Sequence, residues 1–117
     1  MSFEVLKPGL LSTFQDLGRL QHQRLGIPVA GALDVNAHRL ANLLVGNGAE
    51  MATLEMNLFP PTLKAHASCC VAFSGADMGP VVNDCQVPMN RPVVLRAGDE
   101  ISFGTRTDGA RIYMAVH

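Results

Sequence analysis

Residues 92–104 read Pro-Val-Val-Leu-Arg-Ala-Gly-Asp-Glu-Ile-Ser-Phe-Gly. An apolar run, Pro92–Arg96, leads to turn residues at 97–99, and an alternating apolar and polar run, Glu100–Gly104, follows. Short runs rich in Val, Ile and Phe on both sides of a glycine-containing turn are typical of β-strands. The segment therefore predicts a strand, a turn and a second strand.

The same pattern recurs along most of the chain. Further strands bounded by Gly, Pro or Asn-Asp are predicted at Phe3–Leu6, Thr53–Phe59, Cys69–Phe73, Pro80–Val82 and Ala110–Val116. Many short strands with turns between them favour an antiparallel sheet that curls toward a barrel or sandwich. Ser12–Gly31 lacks periodicity and is predicted to be a long irregular segment, a kind that is often functional. Thr105–Gly109 is predicted to be a polar loop.

One helix is predicted, over Asp34–Val45. Asp34 is a suitable N-cap, and Gly46 stands where a glycine ends many helices. An apolar stripe follows the spacing i, i+3, i+4 and i+7, and it consists of Ala37, Leu40, Ala41 and Leu44. The fold class expected from these patterns is mainly β, a β-rich α+β chain with one short helix.

Composition and charge argue against several classes of protein function. The chain has 117 residues, enough for one domain, and its 48% hydrophobic and 16% charged residues indicate a globular core. The formal net charge of −1 argues against a nucleic-acid binder. The longest segment without Asp, Glu, Lys or Arg is Ala65–Ala76, too short to span a membrane, and the N-terminus lacks the pattern of a signal peptide. The three cysteines fit reduced thiols, so we expect a cytoplasmic location.

Several short motifs, read in order, carry a resemblance. They are Ser12-Thr13-Phe14-Gln15-Asp16-Leu17-Gly18-Arg19, Gly31-Ala32-Leu33-Asp34, Ala41-Asn42-Leu43-Leu44-Val45-Gly46-Asn47, Ala52-Thr53-Leu54-Glu55 and Ser74-Gly75-Ala76-Asp77. Together they resemble the allophanate hydrolase subunit 2 family. That family includes the C subunit of 5-oxoprolinase, KipA-type antagonists of a kinase inhibitor and the carboxyltransferase region of urea carboxylase, and it is often labelled a biotin-dependent carboxyltransferase family.

The resemblance implies a fold and a domain organisation. Family members contain a pair of cyclophilin-like β-barrel units and are much longer than this chain. Residues 1–117 are therefore expected to be the N-terminal portion of such a domain, a fragment of a longer two-unit protein that is inactive alone. Two short departures from the family pattern occur, at 20–22 and at Ala30, and they affect a candidate contact loop.

The resemblance also implies a function. The first expectation is a component of an ATP-dependent 5-oxoprolinase, which would act on a small amide or lactam substrate together with a partner protein like the B subunit of that enzyme. ATP would bind with that partner, because the sequence has no P-loop, and biotin attachment to this chain is not expected. The alternatives are a regulatory binding module without chemistry and a carboxyltransferase part of a urea carboxylase-like enzyme. A homodimer is also expected, through the final strand or the surface facing the missing half.

The expected catalytic residues are Arg19, Asp16 and Glu55. Arg19 could hold a phosphoryl or carboxylate group with Asp16 orienting it, or the two could form a structural ion pair. Strand alternation places Glu55 opposite Leu54, either on a solvated face or pointing into a cleft.

The remaining candidates are polar loop and cap residues. Substrate contacts are expected at Gln15, Asn42, Asn47 and Asp77, although both asparagines also suit structural roles at the helix end. Structural roles are expected for Asp34, Gly31, Gly46 and Gly75. A nucleophilic Ser74 is not expected, and the adjacent Cys69 and Cys70 are expected to pack on opposite faces of a strand. The four histidines lack metal-ligand spacing, so we expect no metal site.

Overall fold

The computed structural model describes residues 3–7, 9, 13–15, 34–57, 60–104 and 111–117. The helix of these segments is α1 (Val35–Leu44). The strands, in chain order, are β1 (Phe3–Lys7), β2 (Thr13–Gln15), β3 (Thr53–Asn57), β4 (Thr62–Ala65), β5 (Cys69–Gly75), β6 (Pro80–Val82), β7 (Cys85–Gln86), β8 (Val93–Leu95), β9 (Glu100–Phe103) and β10 (Arg111–Val116).

The strands form two five-stranded antiparallel sheets. The first sheet has the order β1-β4-β9-β6-β7 and the second β2-β3-β10-β5-β8. The predicted mainly β fold with a helix is therefore confirmed. The last strand, β10, lies between β3 and β5 and is paired on both sides, so it offers no free edge for the expected self-association.

The two sheets enclose one apolar core. The first sheet contributes Leu63, Ala65 and Ile101, and the second contributes Met56, Val71, Phe73, Ile112 and Met114. Because side chains alternate along a strand, the intervening residues of the second sheet face the other way. There they meet α1, in a second cluster formed by Ala37, Ala41, Val45, Ala72, Tyr113 and Ala115. The second sheet is thus covered by the core on one face and by the helix on the other.

The helix was placed correctly from sequence, and Ala37, Ala41 and Leu44 of the predicted apolar stripe pack against the second sheet. Its buried residues are Ala37, His38, Ala41 and Asn42, whereas Leu40 is 41% exposed. The alanines let the helix lie close to the sheet. His38 and Asn42 are buried because polar partners meet them: the His38 Nδ1 lies 2.9 Å from the Thr53 Oγ1, and the Asn42 amide donates to the Met51 carbonyl at 2.8 Å. Hydrophobicity alone could not predict the two polar residues of this face.

Three short strands were missed or misassigned. β2 lies inside the segment predicted to be irregular, and β4 and β7 were not predicted. In β4 the alternation is legible, since Leu63 and Ala65 are buried and Thr62 and Lys64 are half-buried. The predicted turn at Asn83-Asp84 is confirmed: both residues have positive φ (49° and 68°) and connect β6 to β7.

Within the described segments, no helix has the length and apolar character needed to cross a membrane.

Candidate functional site

A polar cluster lies on the helix-facing side of the second sheet, beside the start of α1. Glu55 in β3 stands directly opposite Tyr113 in β10, so their side chains share a face. The Tyr113 hydroxyl donates a hydrogen bond to the Glu55 Oε2 and accepts one from the Asp34 backbone N–H at 2.9 Å. With Arg111, these residues form what we call the Glu55 cluster: Asp34, Glu55, Arg111 and Tyr113.

Arg111 supplies the positive charge of the Glu55 cluster. Its Nε lies 3.4 Å from the Glu55 Oε1, and its side chain is 30% exposed while that of Glu55 is 10% exposed. Glu55 is therefore a buried carboxylate held between a phenol and a guanidinium. The alternative of a solvated outer face for Glu55 is wrong, because its side chain is buried and accepts a hydrogen bond from the tyrosine on the neighbouring strand.

Tyr113 acts as a hydrogen-bond donor at neutral pH. Burial raises the pKa of its phenol well above the usual value, and the hydrogen bond to the Glu55 carboxylate raises it further. The protonated hydroxyl is therefore stable beside Glu55. It orients that carboxylate and links it to the N-cap residue of the helix.

Three of the residues predicted to have structural roles, Asp34, Gly46 and Gly75, lie in the described segments. The Asp34 Oδ1 accepts from the Ala37 N–H at 3.0 Å, as expected of an N-cap. Gly46, after the helix, has φ +81°. Gly75 has φ +97°, and a Cβ there would lie 2.6 Å from the Arg111 carbonyl oxygen. Gly75 thus allows the end of β5 to approach the start of β10 closely.

The predicted substrate contacts at the two asparagines lie elsewhere. Asn42 is fully buried and its amide bonds the Met51 carbonyl, so it is not available to a substrate. It lies eight positions after Asp34, or about 12 Å along the helix. Asn47 donates to the Val116 carbonyl at 2.8 Å, and its Oδ1 lies 2.7 Å from the His117 Nδ1. Both residues fasten the helix end to neighbouring backbone.

Other candidates take positions outside the Glu55 cluster. Asp77 accepts from the Gly79 N–H at 2.9 Å in the turn after β5. Cys69 faces the core and burial raises the pKa of its thiol, whereas Cys70 lies on the helix side, as predicted. Ser74 is buried. In the described segments no group of three or more His, Cys, Asp or Glu side chains could hold a metal ion.

Asp16, Arg19 and Gly31 lie outside the described residues, and Gln15 is described through its backbone. β2 pairs with β3 so that Thr13 is opposite Glu55 and Gln15 is opposite Thr53. The strand that leads to Asp16 therefore runs directly beside the strand that carries Glu55.

Sequence reasoning did not single out Arg111 or Tyr113. The signal that could have found them is alternation in the last strand, where Ile112 and Met114 face the core and the intervening residues must face away. An arginine and a tyrosine on the second face of a central strand need polar partners. Glu55 is the partner that the register brings opposite Tyr113.

A second polar feature lies on the first sheet. It is an open depression of about 230 Å³, lined by Thr62, Asn83, Asp84, Glu100 and Ser102. Beside it, the pKa of Asp99 is lowered, first by a hydrogen bond from the Arg96 N–H and then by one from the Asn83 amide. These bonds fix the turn between β8 and β9.

Known proteins share both the sequence and the fold. The urea amidolyase of Lachancea kluyveri is 34% identical over 98% of this chain, which spans 6% of that protein. The C subunit of 5-oxoprolinase from Escherichia coli (strain K12) is 34% identical over 97% of the chain, which spans 36% of it. The chain therefore covers about a third or less of these relatives.

Solved structures agree with the sequence matches. The urea amidolyase of Kluyveromyces lactis superposes with a TM-score of 0.86 at 38% identity, over 97% of this chain and 7% of that one. TTHA0988 superposes with a TM-score of 0.85 at 33% identity, over 97% of this chain and 43% of that one. The family model for the carboxyltransferase domain, subdomain A and B, matches residues 25–117. The chain therefore belongs to the carboxyltransferase domain family.

Proposed function

We propose that this chain is part of an enzyme that acts on a small amide, and that the enzyme is an ATP-dependent 5-oxoprolinase. The observation that carries the proposal is the Glu55 cluster, a buried and oriented carboxylate with a partly exposed guanidinium, in a relative of the C subunit of 5-oxoprolinase. Carboxylates and guanidinium groups complement the N–H and C=O groups of an amide. Among the relatives found by sequence, the two C subunits of 5-oxoprolinase are also those of which the chain spans the largest share, 36% and 34%.

The lactam carbon of 5-oxoproline is a poor electrophile, so the proposed reaction must activate it first. In the proposed reaction the γ-phosphoryl group of ATP passes to the lactam oxygen of 5-oxoproline and ADP leaves. Water then attacks the activated carbon, the ring C–N bond opens and phosphate is released, giving glutamate. Positive charge and N–H donors must stabilise the phosphoryl group during its transfer. We assign that task to Arg19, oriented by Asp16, with Gln15 and Asp77 as candidate substrate contacts.

We infer the partner proteins from the absence of a P-loop motif in this sequence. Its two lysines, Lys7 and Lys64, do not stand in a P-loop motif, so ATP would be bound together with a partner like the B subunit of 5-oxoprolinase. A third protein would hydrolyse the activated ring. The proposed location of this complex is the cytoplasm, which suits the three free cysteines.

Carboxyl transfer to urea is the second candidate. It is favoured by the urea amidolyase relatives and by the description of the matching family model. This reaction also acts on a small amide, but it moves a carboxyl group from a biotinylated carrier to a urea nitrogen. The carrier would be supplied by another domain or protein.

The experiment that separates the two reactions is reconstitution with candidate partners. The chain would be combined with homologues of the A and B subunits of 5-oxoprolinase, and ATP hydrolysis would be measured with and without 5-oxoproline. In parallel it would be combined with a biotin carboxylase and its carrier, and urea-dependent loss of carboxybiotin would be measured. The proposal expects the first activity. The second activity alone would replace it with carboxyl transfer, and association with the B homologue without either turnover would favour a regulatory module.

A further inference from the structure

We propose that Arg111 binds a planar carboxylate group of the substrate, while Glu55 and Tyr113 are positioning residues that hold its guanidinium for this contact. The inference rests on the proposed function for the identity of the ligand. Its structural basis is that the Arg111 side chain is held on one side, by Glu55, and is partly exposed on the other.

The first evidence for a ligand is the hydrogen bonding of the Arg111 Nε. This atom is buried, and no described residue accepts a hydrogen bond from it. The Glu55 Oε1 at 3.4 Å attracts the guanidinium but lies beyond the usual range of about 2.7–3.2 Å for an N–H···O hydrogen bond. A buried charged donor left unpaired is costly, and such a group in a native protein calls for an explanation such as a bound molecule.

The charge balance around Arg111 also favours an anion. The Tyr113 hydroxyl donates to Glu55, so part of the carboxylate's charge is stabilised by the phenol instead of the guanidinium. Asp34, the other carboxylate of the cluster, accepts from the Ala37 N–H at the helix start, where the helix dipole is positive. Arg111 therefore keeps positive charge, and of the five N–H groups of its guanidinium the Nε–H has no acceptor among the described residues.

The location makes the contact accessible. Arg111 is the first residue of β10, opposite Asn57 at the end of β3, and its side chain is 30% exposed. A guanidinium at the end of a sheet can present two parallel N–H groups to a ligand arriving from outside. A planar carboxylate matches that fork, and such bidentate pairs are among the strong hydrogen-bonded contacts of proteins.

The carboxylate can come from two sources. In the 5-oxoprolinase reaction it is the substrate's own carboxylate, and in carboxyl transfer it is the carboxyl group added to urea. Each source has a neutral counterpart of nearly the same shape: 2-pyrrolidinone lacks the carboxylate of 5-oxoproline, and urea lacks that of allophanate. The two pairs therefore test the contact and identify its source.

The experiment measures the affinity of the full chain, in complex with its partner protein, for these four compounds by calorimetry or NMR titration. Wild type is expected to bind one carboxylate at least about 10-fold more tightly than its neutral counterpart, as a charge-assisted bidentate contact should. Arg111→Gln should abolish that preference, and Arg111→Lys should reduce it while keeping the charge. Arg39→Gln, at an exposed position on α1, should retain it. Circular dichroism would confirm that each variant is folded, and Arg111→Lys serves as the test if Arg111→Gln does not fold.

Two outcomes would overturn the inference: no carboxylate preference in wild type for either pair, or the wild-type preference retained in the folded Arg111 variants. Both are independent of turnover. Failure of the proposed function would instead appear as absence of 5-oxoproline-dependent ATP hydrolysis in the reconstituted complex.

Discussion

Glu55 shows, at the scale of a residue, how a family motif and a strand register define one position. The motif drew attention to this carboxylate, but the sequence left open whether it faced solvent. Register settles the question, because Tyr113 stands opposite and donates to it while Arg111 lies beside it. Those partners are 58 and 56 positions away along the chain, so neither local pattern nor composition could identify them.

Tyr113 predicts a pH dependence of stability. Its pKa is raised in the folded protein relative to an exposed tyrosine, so its contribution is fully present below about pH 10 and is lost as pH rises further. Tyr113→Phe should lower the free energy of unfolding at pH 7 by about 1–3 kcal/mol, because Glu55 and the Asp34 N–H each lose a partner. Urea unfolding at pH 7 and above about pH 10 checks both effects. A wild-type decline at high pH no steeper than that of Tyr113→Phe would contradict this role.

The role proposed for Arg19 in phosphoryl transfer predicts the effect of its removal on the rate of ATP hydrolysis. In the reconstituted complex, Arg19→Ala should lower 5-oxoproline-dependent ATP hydrolysis by about 10-fold or more, since removal of one charge contact in a transition state has effects of that size. The readout is the rate of ADP release. Arg39→Ala, on the exposed side of α1, is the matched control. A rate within about twofold of wild type would remove Arg19 from this role.

At the scale of the element, the ends of the helix could be predicted from sequence more fully than the residues on its buried side. Asp34 and Gly46 gave the ends of α1 because caps depend on local hydrogen bonds and backbone angles. The polar part of the buried face depended on residues outside the helix: His38 and Asn42 are inside because Thr53 and the Met51 carbonyl meet them. The short strand β2 could not be predicted from its own sequence, because it forms by pairing with β3.

Gly75 gives a prediction at this scale, and Gly98 is its matched control. Both have positive φ, +97° and +94°, but a Cβ at Gly75 would lie 2.6 Å from the Arg111 carbonyl oxygen, while one at Gly98 would meet nothing within 4 Å. Gly98→Ala should therefore cost about 1–2 kcal/mol from backbone strain alone. Gly75→Ala should cost a further 1–3 kcal/mol, roughly, from overpacking. Chemical denaturation measures both, and equal costs would refute a close approach of β5 and β10.

At the scale of the whole molecule, the mainly β class followed from the spacing of turns, whereas the division into two sheets did not. Which strands share a sheet depends on long-range pairing, as with β1 beside β4 and β2 beside β3. The last strand illustrates the difference: its sequence suited an edge or a centre, and the fold places it in the centre with the Glu55 cluster at its start.

The central claim is that this chain supplies residues needed for a reaction on a small amide. Its most direct test is 5-oxoproline-dependent ATP hydrolysis by homologues of the A and B subunits of 5-oxoprolinase, with and without this chain. We expect no turnover by residues 1–117 alone, because they span only about a third of the related C subunits of 5-oxoprolinase and because ATP binding is assigned to the partner. Addition of the chain to the other subunits should raise the rate by about 10-fold or more. A complex whose rate is the same without the chain, or turnover by the chain alone, would contradict the account.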